Sequence, residues 1–138
     1  EILFPARADA PAPAPAPLAP AERALVRSLE RLMREERAYR DEGLTIGRLA
    51  QKLDLPEYRL RRLINQALGH RNFASFLNGY RLEDARSALA DPSQAAVPIL
   101  TIALDAGFGS LGPFNRAFRA DTGVTPTEYR RLATVRAA

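Results

Sequence analysis

The chain has 138 residues, 46% of them hydrophobic, with a net charge of +4 and no cysteine. That length suits one sizeable domain with a tail, and the missing thiol excludes disulfides, thiolate metal sites and cysteine nucleophiles. No apolar run approaches the ~20 residues of a membrane span.

The opening EILFPARA carries neither an initiator methionine nor a signal peptide and reads as the middle of a longer chain. Residues 5–20, PARADAPAPAPAPLAP, alternate Ala and Pro. Proline fixes φ and removes donors, so residues 1–20 are predicted to be an extended, disordered linker. From Ala21 to Glu42 the pattern turns helical. Leu25, Val26, Leu29, Leu32 and Met33 make one apolar stripe, with Pro20 at the start and Gly43 just past the end. Residues 21–43 are therefore expected to form an N-terminal helix packed on the domain.

Thr45 is placed to cap a helix running to about Leu53, and Asp54-Leu55-Pro56 breaks it. A second helix is predicted from Pro56 to Leu68, stopping at Gly69. Leu60, Leu63, Ile64 and Ala67 face inward at i, i+3, i+4, i+7; Tyr58, Arg61, Arg62 and Asn65 face out. These two helices make a helix-turn-helix unit over about 45–69. Phe73 to Ala90 predicts a connecting helix roughly 27 Å long at 1.5 Å per residue. Thr101 is placed to cap a short helix carrying Ile102, Ala103 and Ala106, which ends at Gly107-Phe108. Ser110 then caps a helix with Phe114, Ala117 and Phe118 inside and Gly112, Asn115, Arg116 and Arg119 outside, closed by Gly123. That is a second unit over about 101–123. Thr125-Pro126-Thr127-Glu128 is a capping box that opens a last helix over 126–132. No segment alternates like a strand. The expected fold is all-α: two helix-turn-helix subdomains joined by a long connecting helix, plus one extra N-terminal helix, with residues 44–138 as the DNA-binding domain.

The two units repeat. Leu49-Ala50 matches Ile102-Ala103 and Leu55 matches Phe108 at an offset of 53. Leu60 matches Phe114 and Arg62 matches Arg116 at an offset of 54, so one extra residue sits in the second turn. A rigid connecting helix can set two second helices about one DNA turn, ~34 Å, apart. Charge agrees with this division. Residues 44–138 carry 13 basic and 8 acidic residues, and residues 1–43 carry 7 and 8. All the basic residues but Lys52 are arginine. The abundance of arginine has a bland reading, codon bias in a GC-rich genome, so only the positions argue function.

Arg61 and Arg62 are placed for base contact, since arginine to guanine O6/N7 is the commonest specific pairing at about 1–3 kcal/mol each. Tyr58, one turn earlier, offers a ring for a thymine methyl or a hydroxyl for phosphate; Asn65 lies one turn later. In the second unit Asn115 and Arg116 hold the matching place, with Gly112 allowing close backbone approach. Leu111, Gly112 and Pro113 offer no side-chain hydrogen bonds, so this helix is expected to read fewer bases. Thr45, Thr101 and Ser110 mark helix N-termini suited to phosphate. Arg59 and Arg119 are further phosphate contacts, and Arg71 and Arg81 are extra ones for which a plain surface arginine is the competing reading. His70, the only histidine, reads as a turn residue. Glu35-Glu36 and Glu83-Asp84 are adjacent in sequence and so point to different sides of a helix. No phosphate-cradling glycine motif is present. The expectation is no enzyme site, no metal and no cofactor.

The second unit, IALDAGFGSLGPFNRAFRADTGVTPTEYRR, resembles the AraC/XylS family of bacterial transcription regulators. It follows that family's I-A-x-x-x-G-F-x-S, F-x-R-x-F-R and G-x-T-P-x-x-Y-R pattern nearly throughout. The first unit is looser, with Pro56 where the family usually has a capping serine. The resemblance covers about Leu44 to Leu132. It implies that both second helices enter the major groove of double-stranded DNA, and that a missing N-terminal domain senses a ligand or dimerises. RNA polymerase is the further implied partner, and the isolated fragment is expected to be monomeric. The first helix and RNFASFLNGYRLEDA are similar to regulators whose upstream half is in some members a membrane-embedded sensor. The expected localisation is cytoplasmic, with the whole protein membrane-tethered where its missing N-terminal part is such a sensor. The alternative reading is a helical protein-interaction module that has lost DNA binding. A DNA alkyltransferase carrying such a domain would need a reactive cysteine.

Overall fold

In a computed structural model of the chain, residues 18–137 are described. Most of the expected Pro/Ala linker, residues 1–17, lies outside them. Among the described residues there are seven α-helices and no strand: α1 (Pro20–Arg34), α2 (Ile46–Lys52), α3 (Glu57–Arg62), α4 (Phe73–Ala90), α5 (Ile99–Ala106), α6 (Leu111–Thr122) and α7 (Pro126–Ala137). No described helix is long and apolar enough to cross a membrane.

Helix α1 begins on Pro20, and the Glu22 carboxylate accepts a hydrogen bond from Ala19 N–H at 3.2 Å. Pro at the first position costs no intrahelical bond. Leu29 and Met33 are fully buried. The helix ends at Arg34, eight residues before the expected Glu42. Arg37 takes a left-handed φ of 52°, and a short 3-10 turn follows over Ala38–Arg40. Its physical reason is Tyr39. Residues 35–42 are fair helix formers, but a break lets the Tyr39 ring turn inward, where it is buried and stacks on Tyr80 at 5.9 Å. A left-handed non-glycine residue costs roughly 1–2 kcal/mol, comparable to what burying one large apolar side chain returns.

Thr45 caps α2 as expected, its hydroxyl accepting from Arg48 N–H at 3.1 Å. Helix α3 does not run as a uniform α-helix from Pro56 to Leu68. It starts at Glu57, and over Leu63–Ala67 it widens into a π turn. Leu68 N–H then donates to Leu63 O at 2.9 Å and His70 N–H to Ile64 O at 3.0 Å, with Gly69 left-handed. These reach-back bonds satisfy carbonyls at the helix end.

The interior is two cores, not one. The first gathers Leu29 and Met33 of α1, Tyr39, Leu49 of α2, Leu60, Leu63 and Ile64 around Phe76 and Leu77 of α4. The second gathers Ile102 and Ala106 of α5, Phe108, and Phe114 and Phe118 of α6 around Leu82, Ala85 and Leu89 of α4. At about 100° per residue, Phe76 and Leu77 occupy one side of α4, and the other three roughly the opposite side. The connecting helix is thus a shared wall.

In the second unit, Pro98 and not Thr101 stands at the N-terminus of the first helix. Thr101 is its third residue and no cap. Pro98 sets the start because it has no N–H and its φ already suits the junction. Ser110 does stand before α6, but its side chain makes no capping bond. The Thr125–Glu128 capping box forms in both directions, at 3.0 and 3.1 Å. Helix α7 runs five residues past the expected Leu132.

Candidate nucleic-acid interface

The first unit builds its outward face by burying the opposite one. Leu60, Leu63 and Ile64 fill the first core, which leaves Tyr58, Arg59, Arg61, Arg62 and Asn65 exposed. Tyr58 is 63% exposed, which leaves its ring and hydroxyl open to a partner. Arg61 forms an i, i+4 ion pair with Glu57. Glu57 in turn lies against α2, where a Cβ at Gly47 would stand 3.2 Å from its carboxylate. Arg61 is therefore tethered at the α2–α3 junction, whereas Arg62 makes no ion pair among the described residues. Asn65 lies within the widened turn, so its bearing relative to Arg62 differs from that on a regular helix.

The second unit repeats the logic with aromatic residues. Phe114 packs edge-on to Phe108 at 5.1 Å and against Phe118 at 5.5 Å, and Phe118 meets Tyr129 of α7. The residues facing away are Gly112, Asn115, Arg116 and Arg119, all exposed. The Arg116 guanidinium folds back over Gly112, 3.4 Å from where a Cβ would be. Asn115 and Arg119 are brought together elsewhere, beside a groove of about 480 Å³ that Leu111, Thr125, Pro126 and Thr127 also line. So α6 presents two groupings: Arg116 with Gly112 near its start, and Asn115 with Arg119 beside the start of α7.

Thr45, Arg71, Thr101 and Ser110 are exposed. Thr45 spends its hydroxyl oxygen on the cap. The Ser110 side chain makes none, so its hydroxyl is open to an external acceptor. Thr101 retains the backbone N–H of a third helical residue, which helix geometry leaves without an intrahelical acceptor. Arg81 is not placed for an external phosphate. Half-buried, it donates from Nε to Tyr39 O at 2.8 Å and from its terminal nitrogen to Asp41 O at 3.0 Å. Its ordinary pKa is lowered by that burial, against which Asp41 and Glu42 act. His70 packs edge-on against Phe76 at 5.3 Å, and burial lowers its pKa below the ordinary 6.5.

One cluster escaped the sequence reading. The Asp84 carboxylate accepts from Tyr39 OH at 2.8 Å and from Arg40 at 2.7 and 3.0 Å. Burial alone would raise its pKa, but the Arg40 and Tyr39 hydrogen bonds outweigh that and leave it below the usual carboxylate value. Burial, then Asp84, raises that of Tyr39. The signal was an acidic residue at mid-helix facing an arginine more than forty positions earlier, which no local pattern exposes.

A family profile described as a helix-turn-helix domain matches residues 49–132. The right origin-binding protein of Escherichia coli K12 is 33% identical over 91 residues, which are 66% of this chain and 30% of that protein. The chain thus spans under a third of that relative's length. Among solved structures, the C-terminal domain of AraT, a response regulator from Geobacillus stearothermophilus, aligns with a TM-score of 0.65 at 29% identity, over 85% of this chain and 88% of that one. An AraC-type transcriptional regulator from Chromobacterium violaceum shares the fold with a TM-score of 0.68 at 24% identity, over 83% and 96%.

Proposed function

The chain belongs to the AraC/XylS family of helix-turn-helix transcription regulators, a non-enzymatic family of DNA-binding proteins, and from that premise we propose that it reads two adjacent major-groove segments of double-stranded DNA. The observation that carries this is the pairing of Arg62 and Arg116. They stand 54 residues apart at equivalent places in two units, each exposed on a helix whose other face is a core. In the first segment Arg62 and Tyr58 contact base edges, with Arg61 and Asn65 beside them. In the second, Arg116 and Asn115 do so, and Gly112 lets the backbone close on the duplex.

Phosphates are held by Arg59, Arg71 and Arg119, by the Ser110 hydroxyl, and by the N–H groups at Thr45 and Thr101. Two readers on one chain supply specificity without a second copy, so this domain binds as a monomer. In the whole protein it places a regulator beside RNA polymerase on cytoplasmic DNA.

The test is in vitro selection of DNA sites, followed by salt titration. A bipartite site with half-elements about one helical turn apart, and an affinity that falls steeply with salt, is the expected result. Binding that is indifferent to salt and to DNA sequence, with capture of an apolar protein surface instead, would favour a helix-turn-helix fold turned to protein contact.

A further inference from the structure

The segment between α1 and α2 belongs to the first unit by burial but touches the second. Tyr39 sits in the first core and stacks on Tyr80. Its carbonyl, however, faces the turn of the second unit. A Cβ at Gly107 would lie 2.3 Å from Tyr39 O and 3.1 Å from Arg40 Cα, and Gly107 has a φ of 111°. Two residues on, a Cβ at Gly109 would lie 2.6 Å from the Glu42 carboxylate.

Arg81, on the shared helix α4, ties the arrangement together. It binds the carbonyls of Tyr39 and Asp41, and its guanidinium lies 6.0 Å from the Phe108 ring. One turn along α4, Asp84 holds Tyr39 OH and Arg40. The strap 39–42 leads within three residues to Thr45, the cap of α2. The turn it presses on, Gly107 to Ser110, leads straight into α6.

We infer that Arg81 and Asp84 are positioning residues which clamp this strap between the two units and so set the distance between DNA segments that the chain accepts. Neither reads DNA. They act through the strap, because the two cores lie on different sides of α4 and the strap is where a residue of the first core meets the turn of the second unit. The inference rests on the two-segment reading above.

The test uses the full chain and DNA probes built from the site recovered by selection: the selected spacing, spacings one base pair longer and shorter, and each segment alone. Arg81→Met should bind single segments within about two-fold of the unaltered chain. It should lose about ten-fold on the selected site, and its preference over shifted sites should shrink to under three-fold. Arg81→Lys, which keeps a donor for Tyr39 O, should recover most of that preference.

Asp84→Asn, nearly isosteric, should act in the same direction and serves if Arg81→Met fails to fold. Arg86→Met breaks the Arg86–Asp121 pair inside the second unit and should leave the spacing preference intact. A folded Arg81→Met or Asp84→Asn that discriminates spacing like the unaltered chain overturns the clamp. An unaltered chain that recovers only one segment overturns the clamp as well, and locates the fault in the two-segment reading.

Discussion

Gly112 and Arg116 are neighbours one helical turn apart, and the guanidinium of the second occupies the space beside the first, 3.4 Å from where a methyl group would stand. The glycine offers that guanidinium no side-chain contact of its own. It also leaves the first turn of α6 bare on its exposed side.

Gly112→Ala separates folding from binding. Alanine is the better helix former by up to about 1 kcal/mol, so the melting temperature should hold or rise. Specific DNA affinity should fall several-fold, because the added methyl keeps the backbone back from the duplex. Thermal melts and a fluorescence-anisotropy titration on the same preparation check both halves. Unchanged affinity would remove Gly112 from the interface.

Arg62→Ala and Arg116→Ala should each weaken specific binding by about 1–3 kcal/mol and relax preference at different base positions. Titrations against single-base variants of the selected site measure this. Arg61→Ala should cost less, since part of that side chain's interaction is already taken up by Glu57. Uniform weakening across all base variants would reassign Arg62 or Arg116 to phosphate.

Leu29→Ala should destabilise the domain by about 2–5 kcal/mol, the range for emptying a fully buried leucine site. Leu29 lies in α1 and is 0% exposed, so the helix before the first unit is part of its core. Urea denaturation provides the number. A loss under 1 kcal/mol would mean that α1 packs only loosely.

His70 gives the fold a mild acid sensitivity. Its folded pKa lies below the ordinary 6.5 because burial disfavours the charged ring. The unfolded chain therefore binds the proton first. The stability this contributes is complete above about pH 6.5 and is lost as pH falls toward the folded value. His70→Gln should flatten the stability profile between about pH 7 and 5. Equal slopes for the two proteins would rule His70 out as the source.

Much of this architecture was legible from local chemistry. The Thr45 cap, the Thr125–Glu128 box, the bounds of α4 and the stripes of α3 and α6 follow from spacing and capping alone. So does the repeat, which extends further than the matched side chains. Asp54 and Gly107, at the 53-residue offset, are both left-handed turn residues, with φ of 58° and 111°. What stayed hidden depended on distant partners. Arg34 to Glu42 has helical propensity, and only the pull of Tyr39 into a core built by α2, α3 and α4 ends α1 early. Arg81 looks like any surface arginine until the strap it binds is in place. The widened turn after Arg62 has no composition of its own, and Pro98 outranked Thr101 through its ring.

The paired interiors on α4 have an evolutionary consequence. A change that repacks Phe114 against Phe118 falls in one core and leaves Leu60 and Ile64 in the other, the two meeting at α4 and at the strap that Arg81 holds. Each half can therefore drift under its own selection.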